Sequence, residues 1–299
     1  MSKLIVSTLF LSLFAMWAAD RRAGTDIRVN VNMALVPVSV TDGYGRNVTG
    51  LNPQNFRIYE GSRQVDIASF SQLDQPITVG LVFDCSGSMK DKFRIAREAP
   101  RELFKQLNAD DESFLITVSS KAELKQSLTG NFGDLESSLI FTNPNGTTSL
   151  LDGIYMALQQ IRKSPNRQKA LVVVTDGGEN NSRYTQRELT RLAVESDTQI
   201  FSAGIYDRPQ SKEEEDGPAL MTELCGKTGG FNYIVRDTSE LRDTMAKIGV
   251  TLHNQYLIGY YPPDGEGKGK FRKIRVQLLL PTGLPPLNIH ARGGYYIPE

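Results

Sequence analysis

Three oxygen-bearing side chains follow a long apolar run in the first third of the sequence. The run ITVGLVF, residues 77–83, leads into a turn of small residues that presents Asp84, Ser86 and Ser88 at alternate positions. Because the run shows no polar alternation, it predicts a strand buried on both faces, as in a parallel sheet covered by helices. One carboxylate and two hydroxyls at the end of such a strand are hard oxygen ligands, which suit Mg²⁺ or Mn²⁺ and not a soft metal.

Two later loops offer further oxygen ligands. The stretch NGTTSLLDG places Thr147 and Thr148 before a predicted helix that begins near Leu150, and VTDGGEN places Asp176 at the end of a second buried run. Ligands of a doubly wound sheet gather at the carboxyl ends of its strands, so both loops are expected to meet the turn at Asp84. These side chains would fill only part of the octahedral coordination shell of the metal, which leaves a position for a carboxylate from a partner. The predicted metal ligands are two carboxylates and three hydroxyls: Asp84, Ser86, Ser88, Thr148 and Asp176.

The middle of the chain, residues 77–252, alternates strand-like apolar runs with helical patterns. This alternation is typical of a parallel α/β sheet. The predicted fold is α/β, with a doubly wound, mostly parallel sheet of five or six strands flanked by helices. The predicted helices cover residues 93–107 with a kink at Pro100, 150–161, 185–196, 219–227 and 237–252, and the charged run SKEEEDG is expected to be a solvated loop.

Both ends of the chain have antiparallel β character. Alternating residues from Ile27 onward, a hairpin with its turn at residues 60–62, and an alternating tail all lack helical periodicity. We therefore predict a small antiparallel β-domain formed by the N- and C-terminal segments, residues 26–72 and 254–299, around a central domain of residues 77–252. Such an insertion is tolerated where the ends of a domain lie close together.

The N-terminus predicts export. Lys3 precedes the apolar stretch LIVSTLFLSLFAMWAA, which ends in small residues and is followed by Asp20 and two arginines. This pattern predicts a secretory signal peptide over residues 1–19, and thus a periplasmic or extracellular protein. An uncleaved membrane anchor is the alternative, although the run is short for a membrane span.

The charge and the cysteine content do not favour nucleic-acid binding, binding to an anionic membrane or a zinc site of the CxxC type. The 34 basic and 34 acidic side chains give a net charge of +0, which offers no electrostatic argument for nucleic acid or an anionic membrane as a partner. The two cysteines, Cys85 and Cys225, form no CxxC pair and are expected to be core residues, with a single disulfide left open.

The ligand set resembles the metal-ion-dependent adhesion site of the von Willebrand factor type A family. That site is written Asp-x-Ser-x-Ser, then a later threonine, then an aspartate after a buried strand. The corresponding residues here are Asp84-Cys85-Ser86-Gly87-Ser88, Thr148 and Asp176. Thr148 is preferred over Thr147 because it stands four residues before Asp152, as in the glycine-threonine loop of the family. The resemblance covers roughly residues 77–252.

The resemblance implies a function. It implies that the serines and the threonine contact Mg²⁺ or Mn²⁺, that the aspartates often act through water, and that an Asp or Glu of a protein partner completes the shell. It thus implies a non-enzymatic adhesion or scaffold module with no catalytic residues. In some members of the family, ligand binding is linked to a shift of the last helix, here residues 237–252.

The flanking segments carry a second resemblance. Residues 55–61 (NFRIYEG) and Tyr256–Pro262 (YLIGYYP) are similar to segments of a group of acidobacterial proteins with this domain. This resemblance implies a bacterial source.

Two other functions remain as alternatives. A haloacid-dehalogenase-like phosphatase also places an aspartate after a buried strand, but its second aspartate corresponds to Ser86, which cannot serve as the general acid. The other alternative is a structural module of the cell envelope whose metal site is vestigial or only stabilises the fold. In that case Thr148 or Ser149 could simply cap the following helix.

Overall fold

The structure is a computed structural model that describes residues 33–72, 75–206, 212–263, 269–279 and 285–297. The predicted signal peptide, residues 1–19, lies outside the described residues. Met33–Glu299 forms one compact unit. In the ranges given above, no helix is both long enough and apolar enough to cross a membrane.

The elements fall into a central α/β region between two groups of strands. The first group is β1 (Ala34–Thr41), β2 (Phe56–Glu60), β3 (Arg63–Val65) and β4 (Ser69–Gln72). The central region contains β5 (Ile77–Asp84), α1 (Phe93–Ala96), α2 (Pro100–Phe104), β6 (Glu112–Val118), β7 (Ala122–Thr129), α3 (Phe132–Ile140), α4 (Leu150–Ile161), β8 (Gln168–Thr175), α5 (Gln186–Glu195), β9 (Gln199–Ile205), α6 (Lys212–Thr228), β10 (Asn232–Val235) and α7 (Leu241–His253). The second group is β11 (Tyr256–Tyr260), β12 (Phe271–Leu278), β13 (Asn288–Ala291) and β14 (Gly294–Tyr296).

The central sheet has the strand order β10-β9-β8-β5-β6-β7, and β7 alone of these strands runs antiparallel to its neighbour. Every residue of β5 is buried. Val79, Leu81 and Phe83 pack in one layer with α1, α2 and α7, whereas Val82 packs in the other layer with α4, α5 and α6. The predicted fold class, a mostly parallel sheet flanked by helices, is confirmed.

Some predicted boundaries were wrong. The charged run after Ser211 lies within α6 and not in a loop, because Lys and Glu are good helix formers and acidic side chains favour a helix N-terminus. The predicted kink at Pro100 is a break between α1 and α2, since proline fits only the first turn of a helix. Strand β7 and helix α3 were not predicted. No residue of β7 is fully buried and only Leu135 and Leu139 of α3 are, so the periodic signal in their sequences is weak.

Both cysteines are core residues. Cys85 and Cys225 are buried and unpaired. Burial raises the pKa of each thiol well above its ordinary value, so both remain protonated and unreactive.

The strands from the two ends of the chain pair with each other. Within the described ranges they form two antiparallel sheets, ordered β13-β1-β11-β4 and β14-β12-β2-β3. Ala34 of β1 pairs with Tyr260 of β11, and Glu60 of β2 pairs with Ile274 of β12. The two sheets share one apolar cluster. Because this β region belongs to the same compact unit as the central region, the predicted domain boundaries stay a prediction.

The two flanking segments that carry the second resemblance meet inside this β region. The ring centroids of Phe56 and Tyr256 are 5.3 Å apart. Glu60 accepts a hydrogen bond from the Tyr260 hydroxyl at 2.8 Å and forms an ion pair with Arg272 at 2.6 Å. A partly buried carboxylate in this position needs such partners, so the tyrosine and the arginine explain why a glutamate is tolerated here.

The Tyr260 hydroxyl can be removed with little change in shape. We expect Tyr260→Phe to lower the free energy of unfolding by about 1–2 kcal/mol, because Glu60 then loses a hydrogen bond that favours its charge. Urea-induced unfolding measures this loss. Tyr261→Phe is the matched control, since its side chain is 54% exposed and its change should be close to zero. Equal effects of the two substitutions would contradict the proposed role of the hydroxyl.

A second buried carboxylate ties the start of β5 to the end of α7. Asp111 accepts hydrogen bonds from the backbone N–H groups of Ile77 at 2.9 Å and Asn108 at 2.6 Å. Its other contact is the His253 ring, with Nε2 at 3.0 Å from Oδ2. Burial opposes the charged form, but the His253 contact and the N–H groups outweigh burial and lower the pKa of Asp111.

This lowered pKa has a consequence for acid stability. Because the folded-state pKa lies below the unfolded one, Asp111 stabilises the fold above about pH 4, and this contribution is lost as the pH falls through the folded pKa. The difference in free energy of unfolding between the wild type and Asp111→Asn should therefore be largest above about pH 4 and shrink toward about pH 2. Urea unfolding across this range measures it, with the exposed Asp110→Asn as the control. A difference that does not change with pH would argue against a charged Asp111.

Candidate metal centre

Asp84 ends β5 at the centre of the sheet, and its side chain is completely buried. Its Oδ1 accepts the backbone N–H of Ser86 at 2.9 Å, and its Oδ2 accepts the hydroxyl of Thr175 at 2.7 Å. Thr175 ends β8, the strand beside β5. Both carboxylate oxygens are thus oriented by donors on rigid elements.

The turn after β5 presents two hydroxyls side by side. The Oγ atoms of Ser86 and Ser88 are 3.0 Å apart, with Ser86 buried and Ser88 exposed. The N–H of Gly87 donates to the carbonyl of Gly146 at 2.9 Å. Gly146 has φ +75°, and a Cβ there would lie 2.2 Å from the Ser120 hydroxyl, so only glycine fits. The serine turn is therefore docked on the loop that precedes α4.

Thr148 lies in that loop, and its backbone is fixed by the loop after β8. Its N–H donates to the Asn180 side chain at 3.0 Å, and its carbonyl accepts the N–H groups of Asn180 and Asn181. Among the described residues, nothing forms a hydrogen bond with the Thr148 hydroxyl. The Thr147 hydroxyl, in contrast, donates to Ser120 at 3.1 Å. The unpaired hydroxyl of Thr148 agrees with its selection over Thr147, and its role as a ligand stays a prediction.

Helix capping does not occupy the hydroxyls of this loop. Ser149 stands at the N-cap of α4, but its side chain makes no capping hydrogen bond. The first turn is capped from outside, since the Leu151 N–H donates to Glu179 at 2.8 Å and the Asp152 N–H donates to Ser182 at 3.1 Å. The alternative that Thr148 serves only as a cap is not supported.

Asp176 follows β8 directly and is buried. Its Oδ1 accepts the N–H of Gly178 at 3.5 Å, and its Oδ2 lies 3.3 Å from the ammonium of Lys92. The two oxygens of this carboxylate therefore have different neighbours, one in its own loop and one in the segment that precedes α1.

Three of the predicted ligands surround a space beside Gly178. A Cβ placed on this glycine would lie 3.4 Å from Thr148 Oγ1, 3.6 Å from Asp176 Oδ1 and 4.0 Å from Ser88 Oγ. These oxygens come from three separate loops at one edge of the sheet. Ser88 contacts Ser86, and the Ser86 N–H contacts Asp84. The structure thus brings all five predicted side chains into one continuous cluster, while metal ligation by them stays a prediction.

The electrostatics of the cluster suit a cation. Burial, and after it the charge of Asp176, raises the pKa of Asp84 well above its ordinary value, although hydrogen bonds from Ser86 and Thr175 oppose this rise. A positive charge beside these carboxylates would relieve their repulsion. Within the described part of the chain, no group of three or more His, Cys, Asp or Glu residues is placed to hold a metal. The donors here are two carboxylates and three hydroxyls, which fit a hard divalent ion.

Several residues that shape the site were missed by the sequence analysis. Thr175 orients Asp84, Glu179 caps α4, and Asn180 fixes Thr148. Lys92 contacts Asp176 across 84 positions of sequence. The polar run after Asp176 could have indicated the roles of Glu179 and Asn180, since side chains of Asn, Ser and Glu often form hydrogen bonds with backbone groups of neighbouring loops.

A family model described as the von Willebrand factor type A domain matches residues 79–247, which is more than half of the chain. The chain belongs to this family. The predicted resemblance is therefore confirmed for the domain, and all five candidate ligands lie within the matched residues. The narrower resemblance to an acidobacterial group stays a prediction.

One curated relative is similar over about half of the chain. A protein of Borreliella burgdorferi that carries no functional description is 25% identical over 182 residues, which are 52% of this chain and 53% of the relative. The chain thus spans about half the length of the curated relative that it matches.

Solved structures of type A domains share the fold. A von Willebrand factor type A protein from Catenulispora acidiphila has a TM-score of 0.53 at 13% identity, over 91% of this chain and 75% of that one. Proximal thread matrix protein 1 from the mussel byssus, with a zinc-occupied MIDAS motif, has a TM-score of 0.52 at 14% identity, over 64% of this chain and 49% of that one. At these identities the similarity is one of fold.

The space beside Gly178 gives a direct test of the site. We expect Gly178→Ala to fold normally, because its φ lies outside the left-handed region and the new methyl group meets no atom closer than 3.4 Å. The methyl group fills the space between the three oxygens, so the affinity for Mn²⁺ should fall by about tenfold or more, as measured by calorimetry. Gly226→Ala, where no atom lies within 4 Å, is the control. Unchanged Mn²⁺ binding by Gly178→Ala would place the metal elsewhere.

Proposed function

We propose that the chain is a protein-interaction module that binds an acidic side chain of its partner through a Mg²⁺ ion. The observation that carries this proposal is the cluster of hydroxyl and carboxylate oxygens from three loops around the space beside Gly178. Ser88, at its outer side, is exposed, so a partner can approach the cluster from solvent. Type A domains generally serve as interaction modules, which agrees with this proposal.

The five predicted ligands contribute two kinds of oxygen to the ion. Ser86, Ser88 and Thr148 supply neutral oxygens, and Asp84 and Asp176 supply the negative charge. When bound, the ion would attract and orient a carboxylate by Lewis acidity and charge. A centre with two carboxylates and a divalent cation retains affinity for one more anion, which an Asp or Glu of the partner provides.

The surroundings of the serines support binding rather than catalysis. Each serine hydroxyl is paired with the other and not with a histidine. The two histidines are engaged elsewhere, since His253 contacts Asp111 and His290 stacks on Phe231 with ring centroids 4.2 Å apart. A nucleophilic serine needs a base within hydrogen-bonding reach, and neither histidine offers one.

Exposed apolar side chains that precede the loop of Thr148 in the sequence fit a protein partner. Ile140 and Phe141, at the end of α3, are 60% and 84% exposed. They stand shortly before Asn145, whose N–H donates to the carbonyl of Cys85 at 2.8 Å. Large exposed apolar groups beside a polar binding site are typical of protein interfaces. The N-terminal segment is the basis for placing this interaction in the periplasm or outside the cell.

The metal dependence is tested by calorimetry. The full chain is titrated with Mg²⁺ and with Mn²⁺, and we expect one site. Asp176→Ala should lose this site. The substitution relieves the repulsion with Asp84 but leaves the Lys92 ammonium without its carboxylate, so thermal unfolding is used to verify that the variant is folded. Asp91→Ala, at an exposed carboxylate seven residues after Asp84, is the control. Full binding by Asp176→Ala would overturn the assignment of the ligands.

The partner chemistry is tested with an array of immobilised peptides. Peptides that bind the chain in Mg²⁺ should each contain Asp or Glu, and should lose binding when that residue is replaced by Asn or Gln. Chelation of the metal with EDTA should abolish the same signals. Binding that persists in EDTA would favour the alternative of a structural module with a vestigial metal site.

A further inference from the structure

A lysine ammonium lies against the candidate metal centre. Lys92 Nζ is 3.3 Å from Asp176 Oδ2, and the side chains of Lys92 and Asp176 are 14% and 0% exposed. The other oxygen of this carboxylate, Oδ1, faces the space beside Gly178. The ammonium and a metal ion in that space would therefore contact different oxygens of one carboxylate, so binding of the metal does not require the lysine to leave.

The backbone holds Lys92 in this position. Its N–H donates to the carbonyl of Met89 at 2.9 Å, and its carbonyl accepts the N–H of Ala96 at 3.0 Å. The next residue, Phe93, is buried, with its ring centroid 5.9 Å from that of Phe83 in β5. The stem of the lysine thus starts from a fixed point beside the serine turn.

We propose that Lys92 sets the charge of the metal centre, weakening its affinity for the divalent cation and strengthening the affinity of the loaded centre for an anionic ligand. This inference rests on the proposed function and assigns a positioning charge to a residue outside the five ligands. With both carboxylates ionised, a centre loaded with Mg²⁺ would be neutral without the lysine, and it carries one positive charge with the lysine.

Coulomb's law gives the sign and the rough size of both effects. The ammonium repels the metal ion and attracts the carboxylate of a ligand. A unit charge a few ångströms away in a partly buried site changes a binding constant by about tenfold or more, because the effective dielectric constant there is well below that of water. The two effects have opposite directions. An ion pair that only held the site together would instead support metal binding and anion binding alike.

Four substitutions distinguish a lysine that sets the charge of the centre from one that only holds the site together. Lys92→Met removes the charge and keeps the length of the side chain, and Lys92→Gln does the same with a polar end group. Lys92→Arg keeps the charge. Lys90→Met removes an equal charge from an exposed lysine two residues away and is the matched control. Thermal unfolding verifies that each variant is folded, and the glutamine variant maintains the comparison if the methionine variant is unstable.

Each variant is studied as the full chain in two binding measurements. Calorimetry with Mn²⁺ alone gives the metal affinity. Acetate is then added to the Mn²⁺-loaded protein, and water proton relaxation reports the displacement of metal-bound water by the carboxylate. We expect Lys92→Met and Lys92→Gln to bind Mn²⁺ about tenfold more tightly and acetate several-fold more weakly than the wild type. Lys92→Arg and Lys90→Met should resemble the wild type in both measurements.

The outcomes distinguish this inference from the proposed function. If the wild type binds no Mn²⁺, the proposed function fails. If the wild type binds Mn²⁺ but the neutral Lys92 variants match Lys90→Met in both affinities, the lysine does not set the charge and only this inference fails. A folded Lys92→Met variant that loses both metal and acetate binding also overturns the inference, because it shows that the lysine merely supports the site.

Discussion

Two buried carboxylates of like charge, at the ends of neighbouring strands, are the constraint on which the structure of this site depends. Asp84 ends β5 and Asp176 follows β8, and these strands are adjacent in the sheet. Burial raises the pKa of Asp84, and the charge of Asp176 raises it further. Burying two like charges side by side lowers the stability of the fold, and two apolar residues in their place would remove this cost. Stability alone therefore does not explain the two aspartates. Binding of a cation between them would explain this loss of stability.

The loops around these carboxylates are held by residues that do not serve as ligands. Glu179 caps α4 and also accepts the N–H groups of Asn181 and Ser182 in its own loop. Asp152, in the first turn of α4, accepts the N–H of Arg183. Because these side chains satisfy the backbone, the hydroxyls of the site are not needed for that purpose. Such preorganisation reduces the entropy lost when a ligand binds.

The sequence was informative where one local pattern determines the outcome. The limits of β5 and α4 agree with the prediction. β5 is an unbroken apolar run that starts after Pro76 and ends at Asp84, and α4 has a buried face at helical spacing that starts after Ser149. The five candidate ligands stay a prediction, which rests on their positions after a strand or before a helix and on the family resemblance. Lys92 was not found, because its contact with Asp176 is a long-range consequence of the fold. The edge strand β7 was missed because its exposed face makes its pattern weak.

The last helix of the central region is joined to the β region by chain and by side-chain contacts. Helix α7 leads within two residues into β11, the strand that pairs with β1. Near its end, Thr251 accepts a hydrogen bond from the Asn47 side chain at 3.1 Å, and His253 contacts Asp111 at 3.0 Å. Gly249 packs closely on the end of α2, because a Cβ there would lie 3.1 Å from the Leu103 carbonyl and 2.6 Å from Gln106, two residues after that helix. A movement of α7 along its axis would therefore have to break contacts on both sides and would displace β11. We therefore expect any shift of the last helix to reach the sheets formed by the two ends, because α7 leads directly into β11.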